Sequence, residues 1–184
     1  MLTGREIAKQ VALGRIRIKP FNPDQCNPDS YDFRLGPFLR ILRCNSKFNG
    51  VRCIDPRLLQ KYTQVEIPDS GYLLRVGRCY LGTTIEKLGS DYYPSQVTGK
   101  SGVGRIFIRT HCDADHIDRG FFGHLTLEIT VQIPTVIFPG MRFGQIKWFE
   151  SVGKKGELYH GKYLNDSAAA ASRIHLELTH GGSK

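Results

Sequence analysis

The chain has 184 residues, 40% hydrophobic and 23% charged, with a formal net charge of +9. That is enough for one domain with a substantial core, and no apolar run reaches the roughly 18 residues of a membrane-spanning helix. The Lys and Arg excess attracts phosphates, but it is dispersed and forms no compact basic block, which favours a small anionic partner over a nucleic-acid groove.

The N-terminus, MLTGREIAKQ, is charged at once, unlike a secretory signal. Five cysteines (Cys26, Cys44, Cys53, Cys79 and Cys112) make no CxxC pair, the pattern of reduced thiols. A cytoplasmic setting is expected.

Thr3-Gly4-Arg5-Glu6 reads as a capping box, with Thr3 as N-cap and Glu6 reaching back. Ile7, Ala8, Val11 and Ala12 continue at helical spacing, and Gly14 ends the helix. Residues 15–19 alternate as a strand. Short runs follow at 31–35, 38–42, 64–67, 80–84, 106–110, 125–131, 135–138 and 143–149, separated by Gly, Pro, Asn and Asp. Many short strands between turn signals predict a mainly β sandwich or barrel with one short N-terminal helix. Residues 1–184 read as a single domain. From residue 153 the chain turns polar, and this tail is expected to order on a ligand and close over the site.

The segment KSGVGRIFIRTHCDADHIDRGFFGHLTLE holds the chemistry. In Lys100-Ser101-Gly102-Val103-Gly104-Arg105, two glycines permit close backbone approach, and Lys, Ser and Arg supply donors for phosphate oxygens. It lacks the Walker A spacing, and by itself it is equally a plain turn. His111-Cys112-Asp113-Ala114-Asp115-His116 carries metal-ligand residue types, but neither the zinc deaminase pattern nor a paired CxxC is present, so no protein-bound metal is expected. Asp118 sits at a turn, where it bonds its own backbone or accepts from a sugar hydroxyl. Of Phe121 and Phe122, one can enter the core while the other lies against a flat sugar or base. Leu125, Leu127, Ile129 and Val131 share one strand face, and Thr126, Glu128 and Thr130 the other. The alternation alone leaves Glu128 as either a solvated strand residue or a general base.

Taken in order, these motifs resemble the dCTP deaminase branch of the dUTPase-like trimeric nucleotide hydrolases. NPDSYDFRLG, KSGVGR, HIDRGFFGHLTLE, PGMRFGQ and the tail pairs Lys162-Tyr163 and Ser172-Arg173 carry the resemblance, which covers most of the chain. It implies a distorted β-barrel, jelly-roll-like, assembled as a homotrimer with sites between subunits. Glu128 would activate water against C4 of cytosine, with Ser101 and Arg105 assisting. Lys100, Gly102, Ala114, His116, Asp118, Phe121, Gln145, Tyr159, Lys162 and Asp166 would bind the nucleotide. Magnesium would arrive on the substrate triphosphate. The expected product is dUTP with ammonia. The alternative is a dUTPase or a bifunctional enzyme that goes on to dUMP and pyrophosphate. A nucleic-acid-binding β-domain is disfavoured for want of a basic stripe.

The sequence departs from the family pattern at several points. Gly102 stands where deaminases usually have a second serine and dUTPases a glycine. Asp113 and Asp115 add acid to their segment. His116 replaces Arg, Trp or Phe, Arg119 replaces a frequent proline, and Asp166 replaces a glutamine that closes over the base.

Overall fold

A computed structural model describes residues 1–154, 156–164 and 169–179. It is mainly β, as predicted. Helix α1 (Gly4–Ala12) precedes β1 (Ile16–Lys19), a 3-10 turn (Pro23–Gln25), β2 (Cys26–Asn27), β3 (Ser30–Arg34) and β4 (Phe38–Arg43). Next come β5 (Ser46–Phe48), β6 (Val51–Cys53), β7 (Lys61–Glu66), β8 (Tyr72–Leu74), β9 (Tyr80–Ser90) and β10 (Ser95–Gly99). Helix α2 (Ser101–Arg105) leads to β11 (Ile108–Arg109), β12 (His116–Ile117), β13 (Phe122–Val131), β14 (Thr135–Ile137) and β15 (Arg142–Trp148). A short helix, α3 (Ile174–Thr179), lies in the tail. No described helix is long and apolar enough to cross a membrane.

All strand pairs are antiparallel. One sheet runs β11-β13-β9-β4-β7, with β1 also on β9, and the other runs β12-β10-β15-β3-β2. An isolated bridge from Leu35 to Thr84 joins them at a corner, giving the distorted barrel. Tyr31, Phe33, Phe143 and Trp148 from one sheet meet Leu39, Tyr80, Leu127 and Ile129 from the other in a shared core. The regular in–out alternation of β13 divides its faces as predicted: Leu125, Leu127, Ile129 and Val131 are buried, and Thr126, Glu128 and Thr130 lie on the opposite face.

Several local expectations change. Thr3 caps α1 by accepting from the Glu6 amide (3.3 Å), but the Glu6 carboxylate takes the Gln10 side chain (2.6 Å) instead of reaching back. The expected glycine turn KSGVGR is helix α2, held down by buried Val103 and closed by Gly104 N donating to the Lys100 carbonyl (2.9 Å). Only two residues of the expected strand 106–110 pair, because Phe107 adopts a left-handed backbone (φ 57°). All five cysteines are free thiols.

Candidate active site

The half-buried Glu128 lines a cleft of about 570 Å³. Its floor is the outer face of β13 with the start of β9, its flank is the segment 111–118, and its roof is the tail. Four of the predicted ligands stand with Glu128: Ala114, His116, Asp118 and Phe121. From the tail, Tyr159 lines the cleft too, its ring 6.3 Å from that of Phe121. Phe122 turns away and takes the Arg17 guanidinium over its ring at 4.7 Å. Neither phenylalanine is a buried core residue: Phe121 lines the cleft and packs against the edge of the core, and Phe122 lies outside both.

Close contacts hold this arrangement. The Gly120 backbone is left-handed (φ 98°), and a Cβ there would sit 2.7 Å from the Tyr159 amide. Glycine is therefore required for the tail to approach this turn. Tyr159 N donates to the Arg119 carbonyl (2.7 Å), and the Arg119 guanidinium donates to the Gly156 carbonyl (2.8 Å). The departure from proline at 119 thus supplies a tail anchor. Further along, Ala170 N donates to Thr126 Oγ1 (2.9 Å), two residues before Glu128 on the same face of β13. Arg40 donates to the Ala169 carbonyl.

Sequence reasoning left several polar groups around the cleft out of the site, five of which stand out. The Cys112 thiol donates to the Glu128 carbonyl (3.2 Å), and Cys79 lines the cleft from the start of β9. Both ring nitrogens of His111 are buried without a hydrogen-bond partner among the described residues. His124 Nδ1 lies 2.9 Å from the Thr84 carbonyl. A carbonyl only accepts, so Nδ1 carries a proton in this contact. Thr126 is the fifth. The β13 alternation pointed to Thr126 and His124, and His111 and Cys112 stood in the polar run already noted for its metal-ligand residue types, whereas nothing local marked Cys79.

The remaining predicted residues stand elsewhere in the chain. Ser101, Gly102 and Arg105 are exposed on α2 and outside the cleft lining. Lys100 donates to buried Asp32 (2.5 Å), which also accepts from Asn27 (2.7 Å). Gln145 accepts from Ser30 Oγ (2.6 Å) and donates to the Gly99 carbonyl (3.2 Å), bonds that tie β3, β10 and β15 together. Within one chain these two side chains serve the sheet. Lys162 pairs with Glu177 of α3, whose carboxylate holds the ammonium above its ordinary pKa. Asp166 lies outside the described residues. Among the described residues no cluster of three or more His, Cys, Asp or Glu is arranged to hold a metal ion.

Among the described residues the lining of the cleft includes two carboxylates, Asp118 and Glu128, three histidines, and neither lysine nor arginine. It can activate water and accept hydrogen bonds. Neutralising a polyphosphate needs cations from another face.

A model of the dCTP deaminase-like family matches residues 1–151. The chain belongs to this family. A relative from Corynebacterium jeikeium (strain K411), named "dCTP deaminase, dUMP-forming", is 36% identical over 155 residues, 81% of this chain and 80% of its own. One of the same name from Corynebacterium glutamicum (strain R) is 33% identical over 177 residues, 88% and 92% of the two chains. The crystal structure of 2'-deoxycytidine 5'-triphosphate deaminase from Agrobacterium tumefaciens superimposes with a TM-score of 0.62 at 27% identity. It covers 82% of this chain, which spans 48%, about half, of that one. The relatives' names correct the expected product: these dCTP deaminase-like proteins are dUMP-forming, so dUTP with ammonia is not the end point the family comparison supports.

Proposed function

We propose that this protein is a bifunctional dCTP deaminase that releases dUMP, ammonia and pyrophosphate. The observation that carries the reading is Glu128, a half-buried carboxylate in mid-strand facing a partly open cleft. The dUMP-forming relatives support the second half of the reaction. In the first step Glu128 takes a proton from water as the oxygen attacks C4 of cytosine, then passes it to the departing amine. Phe121 and Asp118 address the deoxyribose, the ring by packing and the carboxylate by accepting from a hydroxyl. In the second step another water attacks the α-phosphorus, and the bridging oxygen leaves with the pyrophosphate. The balance is dCTP plus two waters to dUMP, ammonia and pyrophosphate.

The nucleotide enters with magnesium on its phosphates. Ser101 and Arg105 of a neighbouring copy supply the donors that the cleft lacks, in a homotrimer with sites between subunits. The serine–glycine pair Ser101-Gly102 suits phosphate hydrolysis beside deamination. Five unpaired thiols support a reducing, cytoplasmic setting.

Incubation with dCTP and magnesium, with ammonia and pyrophosphate measured separately, tests the reading. Equal release of both is expected. Ammonia alone would overturn the second step, and neither product would overturn both. Glu128→Gln should abolish ammonia release while nucleotide binding survives.

A further inference from the structure

We propose that Arg40 is a positioning residue for the reaction: it clamps one peptide group of the tail across the outer face of β4, β9 and β13, beside Glu128, and so sets the roof under which dCTP is held. The role rests on the reading of the cleft given above.

Strand register places Arg40 in line with the proposed general base. Glu128 pairs with Leu81, and Leu81 with Arg40. Paired residues share a face, and with strands about 4.8 Å apart the Arg40 Cα lies about 10 Å from that of Glu128. The Arg40 side chain is not part of the cleft lining. Its guanidinium lies 4.3 Å from the centre of the Tyr62 ring on β7, the edge strand of the sheet, and donates to the Ala169 carbonyl.

The Ala169 carbonyl and the Ala170 N–H belong to one peptide group. Its oxygen accepts from Arg40 of β4, and its N–H donates to Thr126 Oγ1 of β13 (2.9 Å). A trans peptide points these two atoms in opposite directions, so the group spans from β4 to β13 above β9, the strand between them. Ala169 is only 4% exposed, although it belongs to a polar tail. A cation on the oxygen polarises the peptide and strengthens the bond that its N–H makes to Thr126. Neither bond is part of a sheet ladder or a helix, so both serve the placement of the tail. Ala170 and Ser172, at and just past the clamped group, line the cleft. Arg40 therefore acts on the nucleotide through the tail backbone and does not touch it.

Hydrogen exchange and steady-state kinetics of Arg40→Met, which keeps the apolar stem and removes the donor, test the role. The Ala170 amide should exchange about tenfold faster than in wild type, while amides of β9 keep their protection. The KM for dCTP should rise about tenfold, the weight of a hydrogen bond from a charged donor, with kcat within about twofold of wild type. Arg40 and Thr126 hold two ends of one group, so Arg40→Met combined with Thr126→Val should raise KM by clearly less than the product of the single effects. A lowered melting temperature with Ala170 exchange and KM unchanged would mark a merely structural arginine and overturn the proposal, as would single effects that multiply in full. If Arg40→Met fails to fold, Tyr62→Leu, which removes the ring beneath the guanidinium, decides by the same exchange measurement. Faster Ala170 exchange in a protein whose wild type releases no ammonia would sink the proposed reaction and leave the clamp standing.

Discussion

Two buried ionisable side chains show how local surroundings set chemistry in this protein. Glu86, fully buried, accepts from Arg34 Nε (2.7 Å), from the Arg34 amide (2.9 Å) and from Gln25 (3.0 Å). Arg34→Met would leave that carboxylate buried without its cation and should cost about 4 kcal/mol in urea unfolding. Burial, with a smaller opposing effect from the Asn22 amide, pushes the Tyr31 phenol up from 10.0 to about 12. The folded state thus holds a proton that the unfolded chain loses near 10. This contribution is complete below about 10 and disappears as pH rises through about 12. Tyr31→Phe should flatten the fall in melting temperature over that window, at a cost of about 1 kcal/mol for the lost Asn22 contact. The face of Glu128 was legible because strand alternation assigns it without reference to the rest of the chain, whereas its proposed role as general base came from the resemblance. Gln145 and Lys100 were not legible in this way, because their partners Ser30 and Asp32 lie 115 and 68 residues away. A donor-rich side chain looks the same in sequence whether it awaits a phosphate or already holds a carboxylate.

Strand β13 carries both the proposed general base and the contact that holds the tail. Glu128 and Thr126 share its outer face, and Thr126 receives the tail through Ala170. Thr126→Val should therefore raise the KM for dCTP about fivefold, the weight of one hydrogen bond of about 1 kcal/mol, with little change in melting temperature. Steady-state kinetics beside a thermal melt separate the two effects. At this scale the long apolar strands were readable and the short polar ones were not. Strand β10, SQVTG, has one large apolar residue and takes its place through pairing with β15 and β12. Helix α2 was missed for a related reason. Its two glycines argue against a helix, and burial of Val103 decides the matter from outside the segment. The capping threonine of α1, by contrast, acts within three residues and was plain. Thr3→Ala should cost about 1 kcal/mol, measured by thermal unfolding.

Across the whole molecule, the net charge of +9 draws a polyanion toward a cleft whose lining, among the described residues, holds carboxylates and no lysine or arginine. Raising ionic strength should therefore increase the KM for dCTP and leave kcat nearly unchanged, because screening weakens approach more than chemistry inside the cleft. The β architecture followed from strand spacing and turn residues alone. The division of the reactive groups between two faces did not, since it depends on how the sheets wrap around their core. In the proposed assembly that division makes each chain half of a working unit. There Glu128→Gln would ruin the cleft a subunit offers, and Ser101→Ala the helix it lends. When the two defective proteins are unfolded and refolded together, about a quarter of the sites should pair a sound cleft with a sound helix. Ammonia release ought then to return from two preparations that are inert apart.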